Sequence, residues 1–106
     1  MSLSVPAKIA SFDSTFTAKY RDTVKLPCLM VGQPAPKVLW TVHGNPITGN
    51  EGRWRLLDEA LQVTEVTRED AGTYTCSVEN SFGKDTITHN LVILGQYYFE
   101  CFKTDT

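Results

Sequence analysis

Short runs of alternating apolar and polar residues, broken by glycine and proline, constrain this chain more than any other feature. Its seven glycines and five prolines separate segments rich in Val, Leu, Ile, Thr and aromatic residues, with a break roughly every ten residues. This spacing is typical of an all-β sandwich or barrel, because each strand has to turn back after crossing one sheet. No window of about twelve residues carries the apolar stripe of a helix, so helix is limited to a single turn.

The predicted strands have the period of two that sends alternate side chains into a core. The inward sets are Val24, Leu26, Cys28 and Met30; Val38, Trp40 and Val42; Leu61, Val63 and Val66; Tyr74, Cys76 and Val78; and Leu91 with Ile93. From these sets we expect a core that contains Leu26, Trp40, Leu61, Val63, Tyr74, Val78 and Leu91. Ile9 and Phe12 mark a first strand, and a second short one follows from Thr15 to Ala18.

Two turn-forming residues call for particular backbone geometry. Gly83 ends the hairpin turn Asn80-Ser81-Phe82-Gly83, where we expect it in the left-handed region. Pro27 lies inside a strand that should be central, and its missing N–H would break a ladder bond. We therefore expect Pro27 where the first strand leaves its neighbour and crosses to the other sheet. One domain spans residues 5–95, followed by a tail at 96–106.

Composition narrows the classes of partner. With 10 Lys and Arg against 12 Asp and Glu, the 106-residue chain has a net charge of −2. Its length fits one domain, because two would need about 50 residues each. The balanced charge argues against nucleic acid and anionic membrane as ligands. No apolar run approaches the 18 or so residues of a transmembrane helix.

The spacing of Cys28, Trp40 and Cys76, with Tyr74 inside the stretch Asp70-Ala71-Gly72-Thr73-Tyr74-Thr75-Cys76, resembles the immunoglobulin superfamily. Gly32-x-Pro34-x-Pro36 and Asn80-x-x-Gly83 resemble landmarks of its intermediate, or I, set. The resemblance implies an immunoglobulin-like sandwich of two antiparallel sheets with Greek-key connections. Its first strand would be split, pairing first with the second strand (B) and then with the last (G).

The same resemblance implies a disulfide between Cys28 and Cys76 through the core. Trp40 would then fill the volume beside the sulfurs, and the Tyr74 hydroxyl would bond to a backbone group at the turn. The alternative is that both cysteines stay reduced and only pack, since domains of this class also occur in the cytosol.

At a finer level, residues 6–36 and 78–94 are similar to a membrane-proximal immunoglobulin domain of the Down syndrome cell adhesion molecule family. This resemblance implies an extracellular module of a membrane-anchored receptor for homophilic adhesion, axon guidance and dendrite self-avoidance. Its neighbours would be immunoglobulin or fibronectin-like domains. Homophilic specificity in that family resides mainly in other domains, so no binding residue is transferred to this chain. The alternative is an I-set domain of an intracellular muscle scaffold.

Nothing in the sequence supports an enzyme, a cofactor, a metal or a small-molecule substrate. There is no Gly-x-Ser-x-Gly nucleophile motif, no glycine-rich phosphate loop and no carboxylate cluster. His43 and His89 lack ligands at metal-binding spacing, and we interpret both as surface imidazoles.

Several other residues are candidates for structural or interface roles. Asp70 should pair with Arg53 or Arg55 across the base of the sandwich. Trp54 either packs beneath its own strand (D) or anchors an interface. In the tail, the unpaired Cys101 among Tyr97, Tyr98 and Phe99 suggests intermolecular contact. The sequence has no Asn-x-Ser/Thr sequon, so no N-glycan covers either face.

Overall fold

The computed structural model describes residues 3–49 and 52–95. Within these ranges the chain forms ten strands and a single 3-10 turn. The strands are β1 (Val5–Ile9), β2 (Thr15–Lys19), β3 (Val24–Pro27), β4 (Met30–Gln33), β5 (Lys37–Val42), β6 (Asn45–Pro46), β7 (Trp54–Leu57), β8 (Ala60–Val63), β9 (Gly72–Asn80) and β10 (Gly83–Leu94), and the 3-10 turn is Arg68–Asp70. None of the described elements is a helix long and apolar enough to cross a membrane.

One layer of the sandwich is a five-stranded sheet in the order β2-β10-β9-β5-β6. Four of these strands pair antiparallel, but β2 runs parallel to β10. This pairing corrects the expectation that both sheets are antiparallel throughout. The first strand crosses from one layer to the other between Ile9 and Thr15 without reversing, so β2 arrives in the same direction as β10.

The other layer consists of two ladders, β3-β8-β7 and β1-β4. The predicted second strand is divided at Cys28 and Leu29, where it changes partner. The Cys28 N–H donates to Glu59 O at 2.8 Å, whereas Leu29 O accepts from Ala10 N–H at 2.6 Å. Pro27 is the last residue of β3, at the boundary where pairing with β8 gives way to pairing with β1. The prolyl ring offers no donor to a further partner, which suits it to this gap in the ladder.

The core lies between the layers and is built from the alternating residues of both. Cys28 and Cys76 form a disulfide with a Cα–Cα distance of 6.6 Å, and Trp40 is the ladder partner of Cys76. The buried hydrophobic residues include all seven that the strand pattern selects, namely Leu26, Trp40, Leu61, Val63, Tyr74, Val78 and Leu91. The same alternation was wrong for Val38, which is 41% exposed because it lies near the start of β5, at one end of the sandwich.

Two further local predictions were wrong. Phe12 does not belong to the first strand, since β1 ends at Ile9 and the Phe12 side chain is 83% exposed. Gly83 does not have a positive φ, so it is not in the left-handed region. It is needed for space instead, because a Cβ at this position would lie 2.7 Å from Pro6 Cβ. The FG turn, between β9 and β10, meets β1 at this contact.

The Gly83→Ala substitution is expected to destabilise the domain by about 1–3 kcal/mol, since the added methyl overpacks the contact with Pro6. Urea denaturation would measure the loss. Ser81→Ala, at an exposed position of the same turn, is the control and should change the free energy of unfolding by less than about 0.5 kcal/mol. Equal effects of the two substitutions would contradict the steric account.

Candidate functional site

Hydrogen bonds from polar side chains connect neighbouring segments at the two ends of the sandwich. At one end, the central residue of this network is Asn80. Its carboxamide makes five hydrogen bonds. Oδ1 accepts from the N–H groups of Ala7, Phe82 and Gly83 at 3.1, 2.9 and 3.0 Å. Nδ2 donates to Val5 O at 2.8 Å and to Pro34 O at 3.0 Å. One side chain thus joins β1, the loop before β5 and the FG turn.

Asp85 extends this arrangement along the free edge of β1. Its Oδ2 accepts from the Ile9 N–H at 2.9 Å, and its Oδ1 accepts from the Thr86 N–H at 2.9 Å. These two backbone hydrogen bonds lower the pKa of the Asp85 carboxyl. Side chains from the opposite layer therefore occupy the edge of β1 where a neighbouring strand would otherwise pair, which also blocks that edge from pairing with another chain.

An open groove of about 480 Å³ lies at the same end of the sandwich. It is lined by Pro34, Ala35, Lys37, Glu79, Asn80 and Ser81. Within the described residues, no group of three His, Cys, Asp or Glu side chains could hold a metal ion. The groove offers one cation, one carboxylate and an amide that is already fully hydrogen-bonded, so we assign it no catalytic chemistry.

At the other end of the sandwich, Asp70 pairs with Arg53 and not with Arg55. Arg53 Nη1 lies 2.7 Å from Asp70 Oδ2, and Nη2 donates to Oδ1 at 2.9 Å. Arg55 lies in β7 opposite Gln62, with its side chain exposed. Arg53 precedes the first residue of β7, so strand alternation does not govern its direction and it can reach the base.

Asp70 is 3% exposed while Arg53 remains 39% exposed. Burial opposes ionisation of Asp70, but hydrogen bonds from Arg53 and from the Thr67 N–H outweigh it, and the net effect lowers the pKa of the carboxyl. Hydrogen bonding to Asp70 likewise raises the pKa of Arg53. The pair is therefore fully ionised at neutral pH.

Tyr74 joins this base to the core. Its hydroxyl donates to Asp70 O at 2.7 Å, which is the backbone bond that the family resemblance implied. Burial, followed by the charge of Asp70, raises the pKa of the phenol. The ring of Trp54 meets the Tyr74 ring edge to face at 6.5 Å between centroids. Trp54 packs against the core cluster, so it is not an exposed interface anchor.

The interpretation of His89 as a surface residue was wrong. His89 is fully buried, edge-on to Phe16 at 5.1 Å between ring centroids and 6.4 Å from Trp40. Its Nε2–H donates to Pro27 O at 2.6 Å, so this side chain from β10 crosses between the layers at the gap in the ladder. A signal was present in the sequence, because His89 shares parity with the inward-facing Leu91.

The remaining predicted site residues are divided between the surface and the undescribed tail. His43 is exposed, as expected, and its Nε2–H donates to Ala71 O at 2.9 Å. Tyr97, Tyr98, Phe99 and Cys101 lie outside the described residues.

The structure thus brings together the disulfide with Trp40, and separately Asp70 with Arg53 and Tyr74. Sequence reasoning missed the clamping roles of Asn80 and Asp85, because both depend on where β1 lies in the folded chain.

The Asp70→Asn substitution is expected to cost about 1–3 kcal/mol of unfolding free energy at neutral pH, because the buried group loses its charge-assisted bonds. The folded-state pKa of Asp70 lies below 3.8, so its stabilisation is complete above that value and is lost as pH falls through the folded pKa. The wild-type advantage should therefore shrink below pH 3.8.

Urea denaturation of both proteins from about pH 7 to about pH 2.5 tests this prediction. Asp85 also has a lowered pKa, but it is present in both proteins and cancels in the difference. A difference in stability that stayed constant down to the lowest pH would contradict the assigned role of Asp70.

The Asn80→Ala substitution removes all five bonds of the clamp and is expected to destabilise the domain by about 2–4 kcal/mol. Hydrogen exchange of the Ala7 N–H, which the Asn80 carboxamide caps, should accelerate most. Asn90→Ala is the control, because Asn90 is exposed on β10, and it should leave both measurements nearly unchanged. Unaltered exchange at Ala7 in Asn80→Ala would show that the clamp does not hold β1.

Comparison with known proteins identifies the family. The sequence model of the immunoglobulin I-set domain matches residues 7–93. Over 90 residues the chain is 49% identical to the cell adhesion molecule Dscam1 of Drosophila melanogaster, and over 92 residues it is 40% identical to human DSCAML1. These alignments cover 85% and 83% of the chain but 4% of the length of either relative.

Among solved structures, titin domain M7 matches with a TM-score of 0.81 and 26% identity, over 90% of this chain and all of that domain. Similarity in sequence and similarity in backbone thus point to the same fold family. The chain belongs to the immunoglobulin I-set family.

Proposed function

We propose that this chain is a non-catalytic immunoglobulin module in the extracellular part of a membrane-anchored adhesion receptor. It would serve there as a spacer or contact domain in homophilic cell adhesion, axon guidance and dendrite self-avoidance. Its neighbours in the parent protein would be immunoglobulin or fibronectin-like domains. The observation that carries the proposal is the buried Cys28–Cys76 disulfide in a chain 49% identical to Dscam1. A structural disulfide favours an oxidising compartment outside the cell.

The hydrogen bonds that fix the first and last strands of the module support a spacer role. The chain enters through β1, which Asn80 and Asp85 fix to the opposite layer. It leaves through β10, whose Leu94 O accepts from the Tyr20 N–H at 2.6 Å. Strand β10 has twelve residues and therefore spans about 40 Å. Neighbouring domains attached to these ends would have their separation and relative orientation set by a rigid, cross-linked body.

The second candidate function is that of an I-set domain in an intracellular muscle or cytoskeletal scaffold. The similarity of the backbone to titin domain M7 favours it. The two functions differ in the state of the cysteines, because the cytosol keeps thiols reduced. The higher sequence identity to Dscam1 than to the titin domain supports the adhesion receptor as the first choice.

Ellman titration of the full chain, produced under oxidising conditions and then unfolded, should detect one free thiol among the three cysteines. The double variant Cys28→Ala, Cys76→Ala provides the control. It should also show one free thiol and should lose about 4 kcal/mol of unfolding free energy, as expected for a cross-link with a sequence separation of 48. Three free thiols in the wild-type protein would favour the intracellular scaffold.

A further inference from the structure

A seam runs along one side of the sandwich, between the edge of β10 and residues 9–14, where the first strand crosses from β1 to β2. Within the described residues, β10 has no partner strand on this side before Asn90, where its pairing with β2 begins. The Asn90 N–H donates to Ser14 O at 2.9 Å. Alternate N–H groups of a strand point to the same side, so those of Thr88 and Thr86 also face the seam.

Two carboxylates take the place of a partner strand along the seam. Asp13 Oδ1 accepts from the Thr88 N–H at 3.0 Å, and Asp85 Oδ1 accepts from the Thr86 N–H at 2.9 Å. The second oxygen of Asp85 accepts from the Ile9 N–H on the other side of the seam. Carboxylate oxygens thus occupy backbone donors of both β10 and β1, which belong to different layers.

The seam is open to solvent, so a strand of another molecule could reach it. Asp13, Thr86 and Thr88 are exposed, and the Phe12 side chain beside Asp13 is 83% exposed. Unpaired backbone donors next to an exposed apolar side chain are a template for strand addition. A strand that paired here would have to displace the carboxylates from charge-assisted hydrogen bonds, which are stronger than the neutral bonds that would replace them.

We infer that Asp13 and Asp85 block strand addition at the seam, so that no β-strand of another immunoglobulin-like domain pairs there with β10 or β1. The neighbouring domains proposed above would be held close to the seam, and mispairing between domains is a characteristic failure of multidomain proteins. A second copy of the chain presents the same hazard. The inference concerns contacts that the module avoids, so it goes beyond the proposed function and does not depend on it.

A purely local role for the two carboxylates would have a different consequence. If they only stabilised the crossing between β1 and β2, their loss would lower the free energy of unfolding and leave the module monomeric. Blocking predicts instead that the freed N–H groups of Ile9, Thr86 and Thr88 pair with another molecule, because backbone donors seek acceptors. Association, and not stability, is therefore the measurement that separates the two roles.

Sedimentation velocity of the full chain, with its free thiol alkylated, tests the inference on the double variant Asp13→Ala, Asp85→Ala. This variant should associate at concentrations at least about tenfold lower than the wild type does, because its uncapped donors favour pairing with another strand. The double variant Asp22→Ala, Asp58→Ala is the matched control. It removes the same two charges from exposed residues whose carboxylates accept no hydrogen bond from the described part of the chain, and it should sediment like the wild type.

Hydrogen exchange locates the contact. In the Asp13→Ala, Asp85→Ala variant, the Thr86 and Thr88 N–H groups should exchange faster than in the wild type when the protein is dilute, and should slow down as it associates. The single variant Asp13→Ala loses one exposed hydrogen bond and gives the same readouts at Thr88, which keeps the test decisive if the double variant fails to fold.

Three results would overturn the inference. They are a variant lacking these carboxylates that associates no more than the wild type, equal association of the charge-matched control, and association that leaves exchange at Thr86 and Thr88 unchanged. None of them would alter the thiol count, which tests the compartment separately.

Discussion

The covalent link between Cys28 and Cys76 joins the two layers at the centre of a small core, and the other packing is arranged around it. Cys28 lies where its strand changes partner from β8 to β1, and Cys76 lies in β9, in the middle of the five-stranded sheet. A domain of this size buries a modest apolar area, so a cross-link that restricts the unfolded chain has a large share in its stability. Trp40, the ladder partner of Cys76, is buried in the same core cluster.

Away from this centre, single polar side chains replace the hydrogen bonds that a further strand would make in a larger sheet. Asn80 and Asp85 satisfy backbone groups on the free edge of β1, and His89 supplies the donor for Pro27 O where the ladder is interrupted. At the opposite end, Asp70 connects Arg53, the Thr67 N–H and, through its backbone carbonyl, Tyr74. Rigidity at the ends thus comes from specific hydrogen bonds, which suits a module that transmits orientation.

The two outer faces take no part in these hydrogen bonds and have different chemistry. The layer containing β3, β7 and β8 places Lys25 and Arg55 on one row. The five-stranded sheet instead carries a row of threonines, Thr41, Thr75 and Thr88. Family membership alone does not distinguish the faces, because the cysteine, tryptophan and tyrosine landmarks all lie inside the core.

The sequence by itself determined most of the strands, the centre of the core and the family, because side-chain alternation and the Cys28, Trp40, Tyr74 and Cys76 spacing are local patterns that every sandwich of this type has to satisfy. Only the tertiary structure decided that Arg53, and not Arg55, pairs with Asp70. Arg53 lies just before β7, where the alternation of strand side chains does not apply. The tertiary structure also decided the hydrogen-bond partner of His89, a carbonyl left open 62 residues away, and the need for Gly83, whose missing side chain makes room for Pro6. These three features depend on contacts between segments that are distant in the sequence, and a local sequence pattern does not predict such contacts.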